Sequence, residues 1–306
     1  MKSVGIVVWC LGVCLLPTVL YGQIDILASS TTYQSYNPLT DQNNLTQHIL
    51  YKFPDARRYG NGPFPVAMWI PGTVNSYRDS LSQIFLRQMS GRGFVAATIE
   101  YSNTNPVQLC KSYTDRAKGV FEVLRPTSAV GKLCAMTRVS CGKGIVVAGI
   151  SQGGAIAVLA KNYAPDVAAV WAMSISSVNE LSMTDLSSCL ANAATAIPPE
   201  RLTVVNGASD PAFGAQAPLE ALTGISCAPN TFQCWNMGSG AGWYRVRDNQ
   251  VEDGNADHCY PAVGDCAPTD LDKGWYYEAE HNWSMKPNLD WLATFGTHRN
   301  FSANGQ

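Results

Sequence analysis

The chain has 306 residues, a formal net charge of −2 and an apolar share of 46%. A balance so near neutrality, with no basic block or stripe, gives no electrostatic basis for nucleic acid or an anionic membrane as partner, and none for steering a charged substrate. The length suits one large α/β domain with ample chain to bury a core.

Residues 1–22 read as a secretory signal, because Lys2 precedes the apolar run GIVVWCLGVCLLPTVL and the run leads into Leu20-Tyr21-Gly22, the charged, apolar and small-residue order of such leaders. The run falls short of the roughly 20 residues of a spanning helix. Pro17 also sits near its end. A cleaved leader is therefore expected, leaving residues 23–306 as a single secreted domain with no stable membrane insertion.

Of ten cysteines, Cys10 and Cys14 leave with the leader, and an even set remains: Cys110, Cys134, Cys141, Cys189, Cys227, Cys234, Cys259 and Cys266. Behind a secretory signal such a set reads as disulfides. The pairs 134/141, 227/234 and 259/266 share a short spacing that could close small loops. No C-x-x-C pair is present and no second histidine stands at ligand spacing beside any cysteine, so no metal site is expected. Asn44-Leu-Thr, Asn282-Trp-Ser and Asn300-Phe-Ser are acceptor patterns for N-glycosylation.

Along the chain, short β-rich runs alternate with longer amphipathic ones. Strands are expected at Thr46–Phe53, Val66–Ile70 and Phe94–Tyr101, each bounded by Gly, Pro or Asn. Ser76–Met89 reads as a helix with Leu81, Ile84, Phe85 and Met89 on one face, and Tyr113–Leu124 as another. Further strands follow at Ile145–Ile150, Val167–Ser174, Leu202–Asn206 and Trp243–Val246. Helices are expected over Gly153–Tyr163, Ala212–Leu222 and Met285–Phe295, the last with Ser284 as N-cap. Several strands are almost wholly apolar, as strands covered on both faces should be. The fold class is therefore α/β, with a mostly parallel central sheet flanked by helices.

Between one apolar strand and the Ala/Leu/Val-rich helix after it lies Gly149-Ile150-Ser151-Gln152-Gly153, a G-x-S-x-G pattern. On so tight a turn, bulky neighbours of the serine would meet backbone, hence the glycines. The turn would lift the Ser151 hydroxyl above the sheet edge, with the Gln152 amide aimed the same way.

In this GISQGGA segment the chain resembles the α/β-hydrolase superfamily of serine esterases, lipases and peptidases, and is similar there to the elbow of carboxylesterases, acyl-protein thioesterases and cutinases. By element order the resemblance runs from about Thr46 to Phe295. It implies the chain order Ser, then Asp or Glu, then His. Asp210, just past the strand Leu202–Asn206 and released by Gly207, fits the acid; its other reading is an Asx turn or N-cap, and Asp185 is the second choice. Of four histidines, His48 precedes the elbow and reads as a partly buried strand residue, while His298 follows the last helix. His258, in the Gly/Asn loop beside Cys259, is the expected base, with His281 as the alternative. The resemblance places a second oxyanion donor after VAMWI, at Pro71-Gly72-Thr73-Val74, where the Thr73 or Val74 amide would join that of Gln152.

The function so implied is a secreted serine hydrolase that cleaves carboxylic esters on small or polymer-borne substrates, with no cofactor. A secreted peptidase of the same fold and a catalytically silent binding protein are the alternatives. The short segment Ile175–Glu200 leaves room for a helix or two, so a small cap or none is expected.

Overall fold

The computed structural model describes residues 28–73, 75–103, 110–175, 196–264, 270–277 and 281–296. Among them are the strands β1 (Ser29–Asn37), β2 (Gln42–Lys52), β3 (Val66–Ile70), β4 (Val95–Ile99), β5 (Ile145–Ile150), β6 (Val167–Met173), β7 (Leu202–Gly207), β8 (Gln233–Trp235) and β9 (Gly242–Val246). The helices are α1 (Ala56–Tyr59), α2 (Ser80–Ser90), α3 (Cys110–Phe121), α4 (Ala129–Cys134), α5 (Gln152–Val158), α6 (Gln216–Thr223), α7 (Lys273–Tyr276) and α8 (Met285–Ala293).

All nine strands join one sheet in the order β1-β2-β4-β3-β5-β6-β7-β9-β8. From β4 to β9 the pairings are parallel, whereas β1/β2, β2/β4 and β8/β9 are antiparallel. The parallel strands alternate their side chains between two apolar layers. On β5, Ile145 and Val147 enter the layer shared with α3, α4, α5 and α6, while Val146, Ala148 and Ile150 enter the layer shared with α2, α7 and α8. Burial on both faces explains why β3, β5 and β6 carry no polar side chain.

Chain order reverses at the centre: β3 leads to β4 on one side, and β5 leads through β6 and β7 to the other. A crevice at the carboxyl ends of the strands is the usual binding place in such a sheet. Register brings the carboxyl ends of neighbouring strands level there, with Ile70 beside Gly149, Ile150 beside Met173 and Gly207 beside Val246.

Several boundaries differ from the sequence expectation. Helix α2 starts at Ser80, not Ser76, because Asp79 caps it by accepting from the Ser82 amide at 2.8 Å. Helix α5 ends at Val158 and passes into a 3-10 turn at Ala160–Asn162. Ser284 does occupy the N-cap position of α8, but its Oγ donates to the His281 carbonyl instead of capping. Strands β1 and β8 and helix α4 were not anticipated. β1 is a polar run, SSTTYQSYN, held by its antiparallel partner and by burial of Tyr33, Ser35 and Tyr36.

Cys134–Cys141 and Cys227–Cys234 are disulfides. Cys259 is also disulfide-bonded; Cys189 and Cys266 lie outside the described residues. No helix among the described residues is long and apolar enough to cross a membrane. Asn44 and Asn282 are exposed, and Asn300 lies outside the described residues.

Candidate active site

Ser151 stands between β5 and α5 with φ 55° and ψ −126°. A non-glycine residue in that region is strained, at a cost of order 1–3 kcal/mol, and holds its shape only where its surroundings leave no alternative. Here the constraint comes from both sides. The Ser151 amide donates to the Met173 carbonyl at 2.9 Å. A Cβ at Gly153 would collide with the carbonyls of Ile70 and Pro71, and one at Gly149 with the backbone of Gly153. The two flanking glycines are thus required by the close approach of backbone to backbone.

Asp210 follows β7 and is buried. Its Oδ1 accepts from the amides of Ala212 (2.8 Å) and Phe213 (3.1 Å), as the Asx-turn reading expects. Oδ2 is left to face the His258 ring, 2.8 Å from Nδ1. On the other side of that ring, Nε2 lies 2.8 Å from Ser151 Oγ. With Nδ1–H donating to the carboxylate, Nε2 is free to accept from the serine hydroxyl.

The loop that carries His258 is fixed at many points. Asp248 Oδ1 accepts from Ser209 Oγ at 2.7 Å and from the Ala256 amide at 2.8 Å, which ties this loop to the one bearing Asp210. Gly207 permits that approach, because a Cβ there would strike the carbonyls of Ala256 and Asp257. The Ser174 hydroxyl, at the end of β6, donates to the His258 carbonyl at 2.7 Å. Phe213 packs its ring against the imidazole at a centroid distance of 5.5 Å. The His258 side chain keeps 31% of its surface exposed, so the imidazole opens to solvent.

Gln152 is buried directly behind the serine. Thr73 sits in the turn Gly72–Asn75, which is closed by the Asn75 amide donating to the Gly72 carbonyl at 3.2 Å. That turn leans on the elbow: a Cβ on Gly72 would lie 3.4 Å from Ser151 Cβ. Val74 lies outside the described residues.

The remaining candidates are elsewhere or outside. His281 stacks on Trp283 at 5.7 Å, beside the start of α8, while the imidazole bonded to Ser151 is that of His258. His48 is exposed on β2 and pairs with Glu100 at 2.6 Å, a correction to its reading as a partly buried residue. Its neighbour on the sheet face is the turn at Tyr77, on which it stacks. Asp185 and His298 fall outside the described residues, as does most of the segment proposed for a small cap. Ser174, Phe213 and Asp248, which hold the loops of the site together, were missed by sequence reasoning; each reaches a partner distant in the chain, and no local pattern marks them. No group of His, Cys, Asp and Glu suited to a metal ion occurs among the described residues.

A serine at a strained strand-to-helix turn, at the reversal point of a mostly parallel sheet, with Asp210 after β7 and His258 after β9, defines the architecture: this chain has the α/β-hydrolase fold. The solved structure of the 2,6-dihydroxy-pseudo-oxynicotine hydrolase shares it, with TM-score 0.51 and 14% identity over 88% of this chain and 68% of that one. The XC6422 protein of Xanthomonas campestris, described as an a/b serine hydrolase without lid, aligns with TM-score 0.43 and 13% identity over 76% of this chain and 86% of that one. The match to the DcsB structure is partial, covering 48% of this chain and 45% of the other at TM-score 0.36 and 14% identity. No protein-family model and no curated protein matches the sequence.

Proposed function

We propose that this chain is a secreted serine hydrolase acting on carboxylic esters, with Ser151 as nucleophile, His258 as general base and Asp210 as the carboxylate that orients it. The observation that carries this reading is the unbroken hydrogen-bonded path from Ser151 Oγ through both ring nitrogens of His258 to Asp210 Oδ2, each link 2.8 Å. Ser151 Oγ attacks the ester carbonyl while His258 Nε2 takes its proton, and the imidazolium is stabilised by Asp210. The tetrahedral oxyanion is met by the amides of Gln152 and Thr73. Collapse expels the alcohol, which receives the proton from His258, and leaves an acyl-enzyme on Ser151. Water then enters, again deprotonated by His258, and releases the acid. The open side of the imidazole suits small esters and esters borne on a polymer.

Hydrolysis of p-nitrophenyl acetate and butyrate by the mature protein tests the reading. Saturable release of p-nitrophenol, abolished by a fluorophosphonate, is expected. A folded protein that does neither would favour a silent binding role.

The disulfide at Cys259 adjoins the base. Reduction under non-denaturing conditions is expected to lower kcat by loosening the mount of His258. Unchanged turnover, with the released thiols counted, would remove that role from the disulfide.

A further inference from the structure

The two oxyanion arms of the proposed hydrolase come from different parts of the chain, the turn after β3 and the first residue of α5. An oxyanion is stabilised only if both donors keep their spacing, and a displacement of about 1 Å can cost on the order of 10²-fold in rate. Something must hold the arms together. The backbone of β3 and β5 does so up to Ile70 and Gly149, where their pairing ends.

Beyond that point the bond between the arms is made by side chains. Arg116, on α3, is fully buried under the elbow. A guanidinium only donates, and this fixes the orientation of the buried Gln152 amide: Oε1 accepts from Arg116 Nη1 at 2.7 Å, while Nε2 donates to the Asn103 carbonyl and the Tyr101 hydroxyl, each at 3.2 Å. The same two residues grip the other arm. Tyr101 Oη donates to the Pro71 carbonyl at 2.7 Å. Asn103 Nδ2 donates to the carbonyls of Gly72 (2.8 Å) and Asn75 (2.7 Å). Burial draws the Arg116 guanidinium below its ordinary pKa and, with the Arg116 charge opposing, pushes the Tyr113 hydroxyl beside it up to about 12. The environment is therefore dry, and hydrogen bonds to a charged donor are strong in it.

We propose that the side chains of Gln152, Asn103, Tyr101 and Arg116 are positioning residues that clamp the two oxyanion arms in register, so that the Gln152 side chain is needed for turnover and not its backbone amide alone. The proposal rests on the ester-hydrolase reading. It also gives Arg116 a task that a packing role would not: it sets which way the Gln152 amide points, and hence which of its atoms faces Asn103.

The test compares Gln152→Glu, which can still accept from Arg116 but no longer donates to Asn103, with Asn103→Asp, which loses the donor to Gly72 and Asn75, and with Tyr101→Phe, which removes the hydroxyl that reaches Pro71. Each variant is first checked by near-UV circular dichroism, and those with the wild-type spectrum are assayed. The expected result is a fall in kcat of about 10- to 100-fold for Gln152→Glu and Asn103→Asp with KM within about threefold. Their Ki for an alkyl boronic acid, which forms a tetrahedral adduct on the serine, should rise by a similar factor. Folded variants with wild-type kcat and wild-type boronate affinity would overturn the clamp while leaving the hydrolase reading intact. A wild-type protein that neither turns over esters nor takes a fluorophosphonate would overturn both.

Discussion

Ser151→Ala is expected to lower ester turnover by about 10⁵- to 10⁶-fold while leaving the fold unchanged. Alanine meets the same backbone demand at position 151 as serine, since both carry a Cβ at φ 55°, so the elbow keeps its shape. What is lost is the atom that bonds to carbon, along with the hydroxyl hydrogen bond to His258 Nε2. The oxyanion arms do not depend on the Ser151 hydroxyl. Residual catalysis over water by the remaining groups is therefore expected, on the order of 10³-fold. Steady-state kinetics on p-nitrophenyl butyrate, beside a thermal melt of both proteins, checks both halves. Loss of less than about tenfold, with the melt unchanged, would mean that another group attacks the ester.

His258→Ala is expected to fall nearly as far, by about 10⁵-fold, whereas His281→Ala should remain within about threefold of wild type. The contrast follows from placement. His258 bridges Ser151 and Asp210, while His281 stacks on Trp283 at the entrance to α8. Added imidazole should restore part of the His258→Ala activity, because the side chain it replaces is 31% exposed and the vacated space opens to solvent. The reverse pattern in the two variants would transfer the base to His281.

The sheet was most legible in the sequence at β3, β5 and β6, which are buried on both faces and have near-continuous apolar runs. β1 was not, since its inward residues are Tyr33, Ser35 and Tyr36 amid threonine and serine, and pairing with β2 supplies what the local pattern lacks. The serine, acid and histidine singled out in the sequence are the residues that hydrogen-bond to one another in the structure. Ser151 was visible by the glycines around it, and the chain order that the α/β-hydrolase resemblance implies then pointed to the turn after a strand at Asp210 and to the Gly/Asn loop before Cys259. The groups that hold them leave no such mark. Arg116 reads as an ordinary charge in an amphipathic helix, and only the fold turns it inward beneath Gln152.

The most direct measurement is mass spectrometry of the protein after treatment with a fluorophosphonate. A single covalent adduct that maps to Ser151, that is lost in His258→Ala and that forms more slowly in the presence of saturating ester substrate, is the expected result. Absence of any adduct on native protein, or an adduct on a different residue, would contradict it.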